Sequence, residues 1–324
     1  MLRRLFLAAA VVLGAWIAPS VPAVAEWPER PVSILIPWGA GGGADQLARA
    51  LAPLLERELK VPVNIVNRAG GSGAVGHVAM AQASADGYTW GLNTVEIAML
   101  HWQGLSNYSP KDYTVAALIN ADAGGLVVKT DAPYKTAKDL IQAIREKPAN
   151  SFKASGTGQG GIWHLGLIGW LVSEKIDPAK VPWIPSQGSA PAVQDLAAGG
   201  IDFVVVSLPE ARALIDAGKL RALANMDATR LWLYPDVPAM KEATGVEFVI
   251  QTWRGIVGPK GIPPEATSKM RAALKKAYDD SVFQDFLKAR GFGPLWLEGD
   301  EAMSHMTKAS DQFGVLMKEA GLIK

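Results

Sequence analysis

Val32-Ser33-Ile34-Leu35-Ile36-Pro37-Trp38-Gly39-Ala40-Gly41-Gly42-Gly43-Ala44-Asp45-Gln46-Leu47 decides how the rest of the chain is read. Val32, Ile34, Leu35 and Ile36 make an apolar, β-branched run of the kind a buried strand uses. Pro37 has no backbone N–H and ends the ladder. Three consecutive glycines then allow a tight turn. Beyond it Leu47, Leu51, Leu54, Leu55 and Leu59 recur at helical spacing. Strand, glycine loop and helix follow one another. A helix opening from such a loop presents unpaired N–H groups and the positive end of its dipole, which suits an anion. Residues 37–44 include no Lys, Arg or His, so this loop holds what it binds by backbone and shape.

The same unit recurs. Residues 61–66 read as a second strand, followed by Gly70-Gly71-Ser72-Gly73 and a helix to about residue 83; residues 88–92 read as a third strand. Strands alternating with helices indicate βαβ units and a mostly parallel sheet. Residues 115–119 and 126–128 read as two further strands. Thr136-Ala137-Lys138-Asp139 is a capping box opening a helix. The βα rhythm then restarts, with a short strand at 152–154, a glycine loop at 155–161 and a helix at 162–172. Later strands are read at 183–184, 203–206, 220–224 and 248–257, and the tail as three helices from Pro263-Pro264 onward. This places a first lobe at 26–128 plus 250–324 and a second at 129–249.

Composition narrows the function. The chain has 324 residues, of which 49% are apolar and 19% charged, as expected of a folded protein. A formal net charge of +1 argues against nucleic acid as a partner. The absence of cysteine excludes a thiol nucleophile, a disulfide framework and cysteine-held metals. Arg3 and Arg4, an apolar run over 5–17 and Ala23-Val24-Ala25 form an export signal with cleavage expected after Ala25. Removing it takes the formal charge from 32 − 31 = +1 to 30 − 31 = −1. The residues flanking Arg3-Arg4 lack the rest of a twin-arginine pattern, which favours ordinary Sec export.

Four segments share the order strand, Gly/Ser/Thr loop, helix N-terminus; they centre on Gly41, Thr157, Ser189 and Ser207. In open α/β sheets such loops gather beyond the carboxyl ends of the strands, where ligands bind. Two lobes aiming helix N-termini at one cleft would suit a small carboxylate. Trp38, Trp163 and Trp253 stand near that cleft and could stack on a ligand. The rivals are weaker. Gly71-x-Gly73-x-x-Gly76 and Gly156-x-Gly158-x-x-Gly161 match a dinucleotide pattern, but the first follows the second strand, and Glu96 falls too late to reach a ribose. There is no Gly-x-Ser-x-Gly elbow and no HExxH; His77, His101, His164 and His305 are scattered, and only His164 falls beside a cleft loop. No cofactor, metal site or catalytic residue is expected.

The residues also resemble the substrate-binding proteins of tripartite tricarboxylate transporters, a family of exported solute receptors. The resemblance spans the mature chain. It rests on Trp27-Pro28-Glu29-Arg30-Pro31, the loop at 37–45, Asn67-Arg68, Asp86-Gly87-Tyr88-Thr89, Ser155-Gly156-Thr157-Gly158, Gly188-Ser189-Ala190-Pro191, residues 218–224 and Pro235-Asp236-Val237-Pro238. It implies a two-lobed α/β periplasmic binding protein of type II form, a monomer that closes over a carboxylate and delivers it to a two-component membrane permease. The site it implies is Trp38, Gly39, Ala40, Gly41, Gly42, Gly43, Asn93 and Thr94 from one lobe. Ser155, Thr157, Gly158, Gln159, Gly188, Ser189, Ala190, Pro191 and Ser207 come from the other. The chain departs from the family pattern at Trp38, where Phe is usual, at Ala69, where Pro is usual, and at Ser186-Gln187, where an aromatic and a basic residue often stand. A larger aromatic and a missing cation favour a mono- or dicarboxylate with an apolar or aromatic body over a compact tricarboxylate. An exported enzyme or a sensor on the same fold is the alternative.

Overall fold

The computed structural model describes residues 26–323, so the expected export signal and its cleavage site lie outside the described residues. The chain opens with β1 (Val32–Ile36), α1 (Gly43–Leu59), β2 (Val63–Asn67), α2 (Ala74–Ala81) and β3 (Thr89–Thr94). β1 pairs in parallel with both β2 and β3. The alternation of β1 fixes its two faces. Ile34 and Ile36 pack in one core with Leu47, Leu51 and Leu55 of α1, and Leu35 points to the other with Met80. Those three leucines are fully buried. Each contributes about 1.5–3 kcal/mol of apolar burial, which is what fastens α1 to the sheet. α2 lies across the end of β1 so closely that a Cβ on Gly76 would stand 2.4 Å from Pro37 Cα. No other residue fits there without moving the backbone.

β4 (Tyr113–Lys129) is a single strand where the sequence suggested two. Its first part pairs with β8 (Gln251–Pro259), from Tyr113↔Pro259 to Ala123↔Gln251. From Gly124 onward it pairs with β6 (Phe203–Ser207) and β7 (Leu220–Met226). β4 therefore belongs to two sheets. The first has the order β2-β1-β3-β8-β4, with β9 (Pro294–Glu298) added on β4. The second is β4 with β7 and β6, and β5 (Ala154–Ser155) beyond β6. We call the parts built on these sheets the first and second lobes. The chain passes from one to the other between Ala123 and Gly124 and returns near Ile250, so the first crossing lies inside β4, ahead of the expected boundary at residue 128.

The sheets are mixed, which corrects the expectation of mostly parallel sheets. β3–β8, β8–β4, β4–β9, β4–β6 and β4–β7 are antiparallel. The cause is the double crossing: the outgoing strand β4 and the returning strand β8 run side by side in opposite directions. β9 is a strand the sequence reading missed. The expected strand at 183–184 is reduced to a bridge between Ala154 and Trp183.

The second lobe carries α3 (Ala137–Glu146), α4 (Ile162–Ser173), α5 (Ser189–Ala198), α6 (Leu208–Asp216) and α7 (Met240–Thr244). α3 begins at the expected box, with Asp139 N–H donating to Thr136 Oγ1 and Thr136 N–H donating to Asp139. The tail forms α8 (Pro264–Asp279), α9 (Ser281–Arg290) and α10 (Gly299–Glu319); α8 packs on β4 of the first sheet, α10 on β4 and β9, and α9 on α1 and α8.

Candidate ligand site

The N-termini of α1, α4, α5 and α6 converge between the lobes. Residues lining a small cavity there include Trp38, Gly42, Gly43, Thr94, Thr157, Trp163 and Ser189, all expected from the sequence. The cavity measures about 20 Å³. That is room for roughly one water molecule, so the cleft is shut.

The first loop is braced from below by Asp45. Its Oδ2 accepts from Gly41 N–H at 2.9 Å and from Arg49 Nε at 2.9 Å; its Oδ1 accepts from Asn67 Nδ2 at 2.9 Å. Burial works to raise the Asp45 carboxyl, but these donors outweigh it and hold the group below its ordinary range. Asn67 Nδ2 also donates to Trp38 O, fixing the residue that turns into the cavity. The Trp38 indole N–H donates to Thr94 Oγ1 at 3.1 Å, and Thr94 Oγ1–H donates to Glu96 Oε2 at 2.5 Å. Thr94 N–H in turn donates to His77 Nε2, while His77 Nδ1 sits 2.9 Å from Gly73 O. A ring that donates at Nδ1 and accepts at Nε2 is neutral. Burial agrees, pushing the His77 pKa down to about 4.

Three charged residues that sequence reasoning did not place in the site meet here. Arg254 of β8 is buried; its Nη1 donates to Asn120 Oδ1 at 2.6 Å and to Asp122 Oδ2 at 2.5 Å, and its Nη2 to Glu210 Oε1 at 3.1 Å. Burial disfavours the guanidinium, but Glu210 and Asp122 outweigh that and keep it charged. Glu210 was legible only as the last residue of a capping box at Ser207, and Ser207 N–H does donate to its Oε2 at 3.1 Å. Its other oxygen, Oε1, accepts from Ser189 Oγ at 2.9 Å and from Gly43 N–H at 3.3 Å. Glu96 was considered only for a ribose. Its Oε1 accepts from Ile162 N–H, the first of α4, at 3.1 Å. Burial raises the Glu96 carboxyl above its ordinary value. The first loop holds no cation, but the cavity does: Arg254 arrives from a strand more than two hundred residues away in sequence.

Other expected residues are placed as follows. Gly39 N–H donates to Gln187 O across the cleft at 2.9 Å, beside Gly188. Ala40 and Gly41 are exposed at its mouth; Gly41 faces Ala190, with Pro191 exposed next to it. Gly158 packs on Ser72 of the first lobe, leaving no space for a side chain. Ser155 Oγ donates to Ile184 O at 2.6 Å and is thereby committed within its own lobe. Thr157 Oγ1 is buried with no hydrogen-bond partner among the described residues, although it borders the cavity. Ser207 is buried behind Glu210. Asn93 is fully buried but does not border the cavity, because β3 turns alternate side chains to opposite faces and Thr94 takes the cleft side. Gln159 and His164 border a separate surface pocket with Trp183, and His164 Nδ1 accepts from Gly160 N–H. Trp253 does not join Trp38 and Trp163. It lies in an apolar groove on α4 and α10, edge-on to His305 with ring centroids 5.7 Å apart.

Residues 47–322 match the family model described as tripartite tricarboxylate transporter family receptor. The chain belongs to that family. Solved relatives agree in fold. The periplasmic binding protein BugD is 26% identical, with 92% of this chain and 100% of that one covered and a TM-score of 0.85. A Rhodopseudomonas palustris protein solved with adipate is 26% identical, covers 91% of this chain and 98% of its own, and gives 0.84. A solute-binding protein from Polaromonas, solved with no ligand, is 30% identical, with 90% and 99% covered, but its TM-score is 0.65. This receptor is thus a periplasmic-type solute-binding protein with an α/β binding-protein fold, and its family is not one of enzymes.

Proposed function

We propose that this receptor captures a small organic mono- or dicarboxylate between its lobes and passes it to a two-component membrane permease. The two lobes are the parts built on the two sheets, with the hinge at the two crossings, one inside β4 and one near Ile250, and the protein acts as an exported monomer. One observation carries the reading. A carboxylate already occupies the point where the lobes meet, and it is the chain's own. Glu210 Oε1 accepts from the first N–H of α1, from Ser189 and from Arg254. A donor set that satisfies one carboxylate suits another of the same shape. The unpartnered Thr157 hydroxyl supplies a further donor, and the Trp38 and Trp163 rings supply an apolar wall for a ligand body.

The adipate found in the Rhodopseudomonas palustris relative supports this ligand class. Structural likeness also runs against identity: the ligand-free Polaromonas protein is the more identical and the less superposable. A difference in lobe angle would give such an inversion, which is in line with two lobes joined by a hinge.

A thermal-shift series with adipate, benzoate, an aromatic dicarboxylate and citrate tests the ligand class. Stabilisation by one or more of the first three, weaker with citrate, is expected. Stabilisation by citrate alone, or by none of the acids while a neutral or cationic solute does stabilise, would overturn it.

A further inference from the structure

Two buried carboxylates cross between the lobes, in opposite directions. Glu96 belongs to the first lobe, directly after β3, and its Oε1 takes the N–H of Ile162 at the start of α4 in the second. Glu210 belongs to α6 of the second lobe, and its Oε1 takes the N–H of Gly43 at the start of α1 in the first, together with Arg254. Each lobe thus donates a carboxylate to the helix N-terminus of the other, the position where a helix dipole favours negative charge. Both groups are held in that pose by their own lobe. Thr94 fixes Glu96, and Ser207 N–H and Ser189 Oγ fix Glu210.

We infer that Glu96 and Glu210 form a reciprocal latch that holds the lobes shut in the empty receptor, and that Glu210 stands where a ligand carboxylate would bind. The second half of that statement rests on the carboxylate reading above; the first half does not. Opening leaves Glu210 with Ser207 and Ser189 but takes it from Gly43 and Arg254, and it takes Glu96 from Ile162. Among the described residues these are the charge-assisted contacts across the cleft; Gln251 Nε2 to Asp227 Oδ2 also joins the lobes, but at the exposed hinge beside β8. Gly39 N–H to Gln187 O and Gln103 Nε2 to Gly160 O involve neutral groups. The latch has a steric signature as well. A Cβ built on Gly43 would lie 2.8 Å from both Arg254 Nη2 and Glu210 Oε1. One methyl group from the first lobe would push the contact apart without changing any charge.

The test reads lobe separation with no ligand present. The chain has no cysteine, so spin labels at Arg68→Cys on the first lobe and Gln194→Cys on the second, both exposed, report one distance by pulsed electron resonance. The empty receptor is expected to show a single short distance. Glu210→Gln, which removes the charge, and Gly43→Ala, which keeps it, should each move most of the population to a longer distance. Circular dichroism and a cooperative melt establish that each variant is folded, and Gly43→Ala carries the test if Glu210→Gln does not fold. An empty receptor that is already open, or a distance unchanged in folded variants, overturns the latch. Neither result bears on the adipate and citrate series, so the latch and the ligand class fail separately.

Discussion

Arg254→Met is the perturbation whose size the structure sets most sharply. Arg254 is 2% exposed, and it faces the Asp122 carboxylate on one side and that of Glu210 on the other. Methionine fills much of the volume of the arginine stem but leaves both carboxylates without a counter-charge. Removing one partner of a buried ion pair costs about 3–5 kcal/mol, because the remaining charge stays desolvated. Asp122→Asn in the same chain removes one orphaned charge. Asn120 Nδ2 already donates to Asp122 Oδ1 and Gly293 N–H donates to the same oxygen, so an amide oxygen there keeps its donors. The double variant should therefore recover on the order of 2 kcal/mol of the loss, a coupling of the size measured for directly contacting groups. Burial already raises the Asp122 carboxyl with Arg254 in place. Without Arg254 it rises further. A carboxyl raised in the folded state contributes stability below its unfolded pKa and loses it as pH climbs through the folded value. The defect of Arg254→Met should accordingly be largest near pH 7 and shrink toward pH 4. Urea denaturation of the two single variants, the double variant and the parent at these two pH values completes the cycle. A loss under about 1 kcal/mol, or equal losses from Arg254→Met with and without Asp122→Asn, would falsify the account of Arg254 as the charge that closes this network.

Trp38→Phe removes the N–H donated to Thr94 Oγ1 and the ring edge that packs on Gly73, and should cost about 1–2 kcal/mol in urea denaturation while reordering the responses in an organic-acid thermal-shift panel. An unchanged ranking across the panel would take Trp38 out of the ligand site. His77, held neutral with its pKa near 4, contributes stability above the unfolded value of 6.5 and loses it as pH falls toward 4; the shift corresponds to roughly 3 kcal/mol. Glu96 and Asp122, raised by burial, act in the opposite sense, so the comparison is between parent and His77→Asn: the variant should lose less stability between pH 6.5 and 4, and equal slopes would show that His77 does not titrate with unfolding.

What was legible in the sequence is what is encoded locally. β1, the glycine loop and α1 lie within thirty residues and carry their own periodicity and breakers, and the caps at Thr136 and Ser207 are four-residue patterns. The loops at Gly42, Thr157 and Ser189 could be read for the same reason. β4 was read as two strands because Asn120, Asp122, Gly124 and Gly125 interrupt its apolar run. Those polar residues are tolerated in mid-strand only because Arg254 and Gly293 satisfy them from β8 and the start of β9. The mixed sheets follow from the same crossing, which no local pattern announces. Arg254, Glu96 and Glu210 escaped notice because each becomes a site residue through a distant partner. Glu210 meets Gly43 across 167 positions, and Arg254 meets Asp122 across 132. Taken singly, a capping glutamate, an acidic residue past a strand and an arginine in a strand carry no chemistry. One local signal was available for Glu210: a capping-box carboxylate uses one oxygen at its own helix and leaves the other free to reach outward.

A self-closed receptor changes what selectivity requires. A cavity of about 20 Å³ admits no organic acid, so binding must start from the open form, and opening gives up the contacts of Glu210 and Glu96 across the cleft. Hydrogen bonds to charged groups contribute about 1.5–3 kcal/mol each, so releasing the three that reach Gly43, Arg254 and Ile162 costs roughly 4.5–9 kcal/mol. At 1.4 kcal/mol per factor of ten, that weakens the binding of every solute by about three to six orders of magnitude. A neutral solute has no negative charge to put on Gly43 N–H, Ile162 N–H and Arg254, and recovers less of that penalty. A carboxylate that takes the donors vacated by Glu210 recovers it. The discrimination then arises from the cost of displacing an internal carboxylate and needs no unpaired cation in the cleft. That reconciles a first loop without Lys, Arg or His with a ligand that is an acid. It also predicts the direction of the effect of Glu210→Gln. With the opening cost lowered, neutral solutes should lose less affinity relative to acids, and the preference measured in the thermal-shift series should narrow. A preference that widens instead would mean Glu210 repels acids from the site and is never replaced by them.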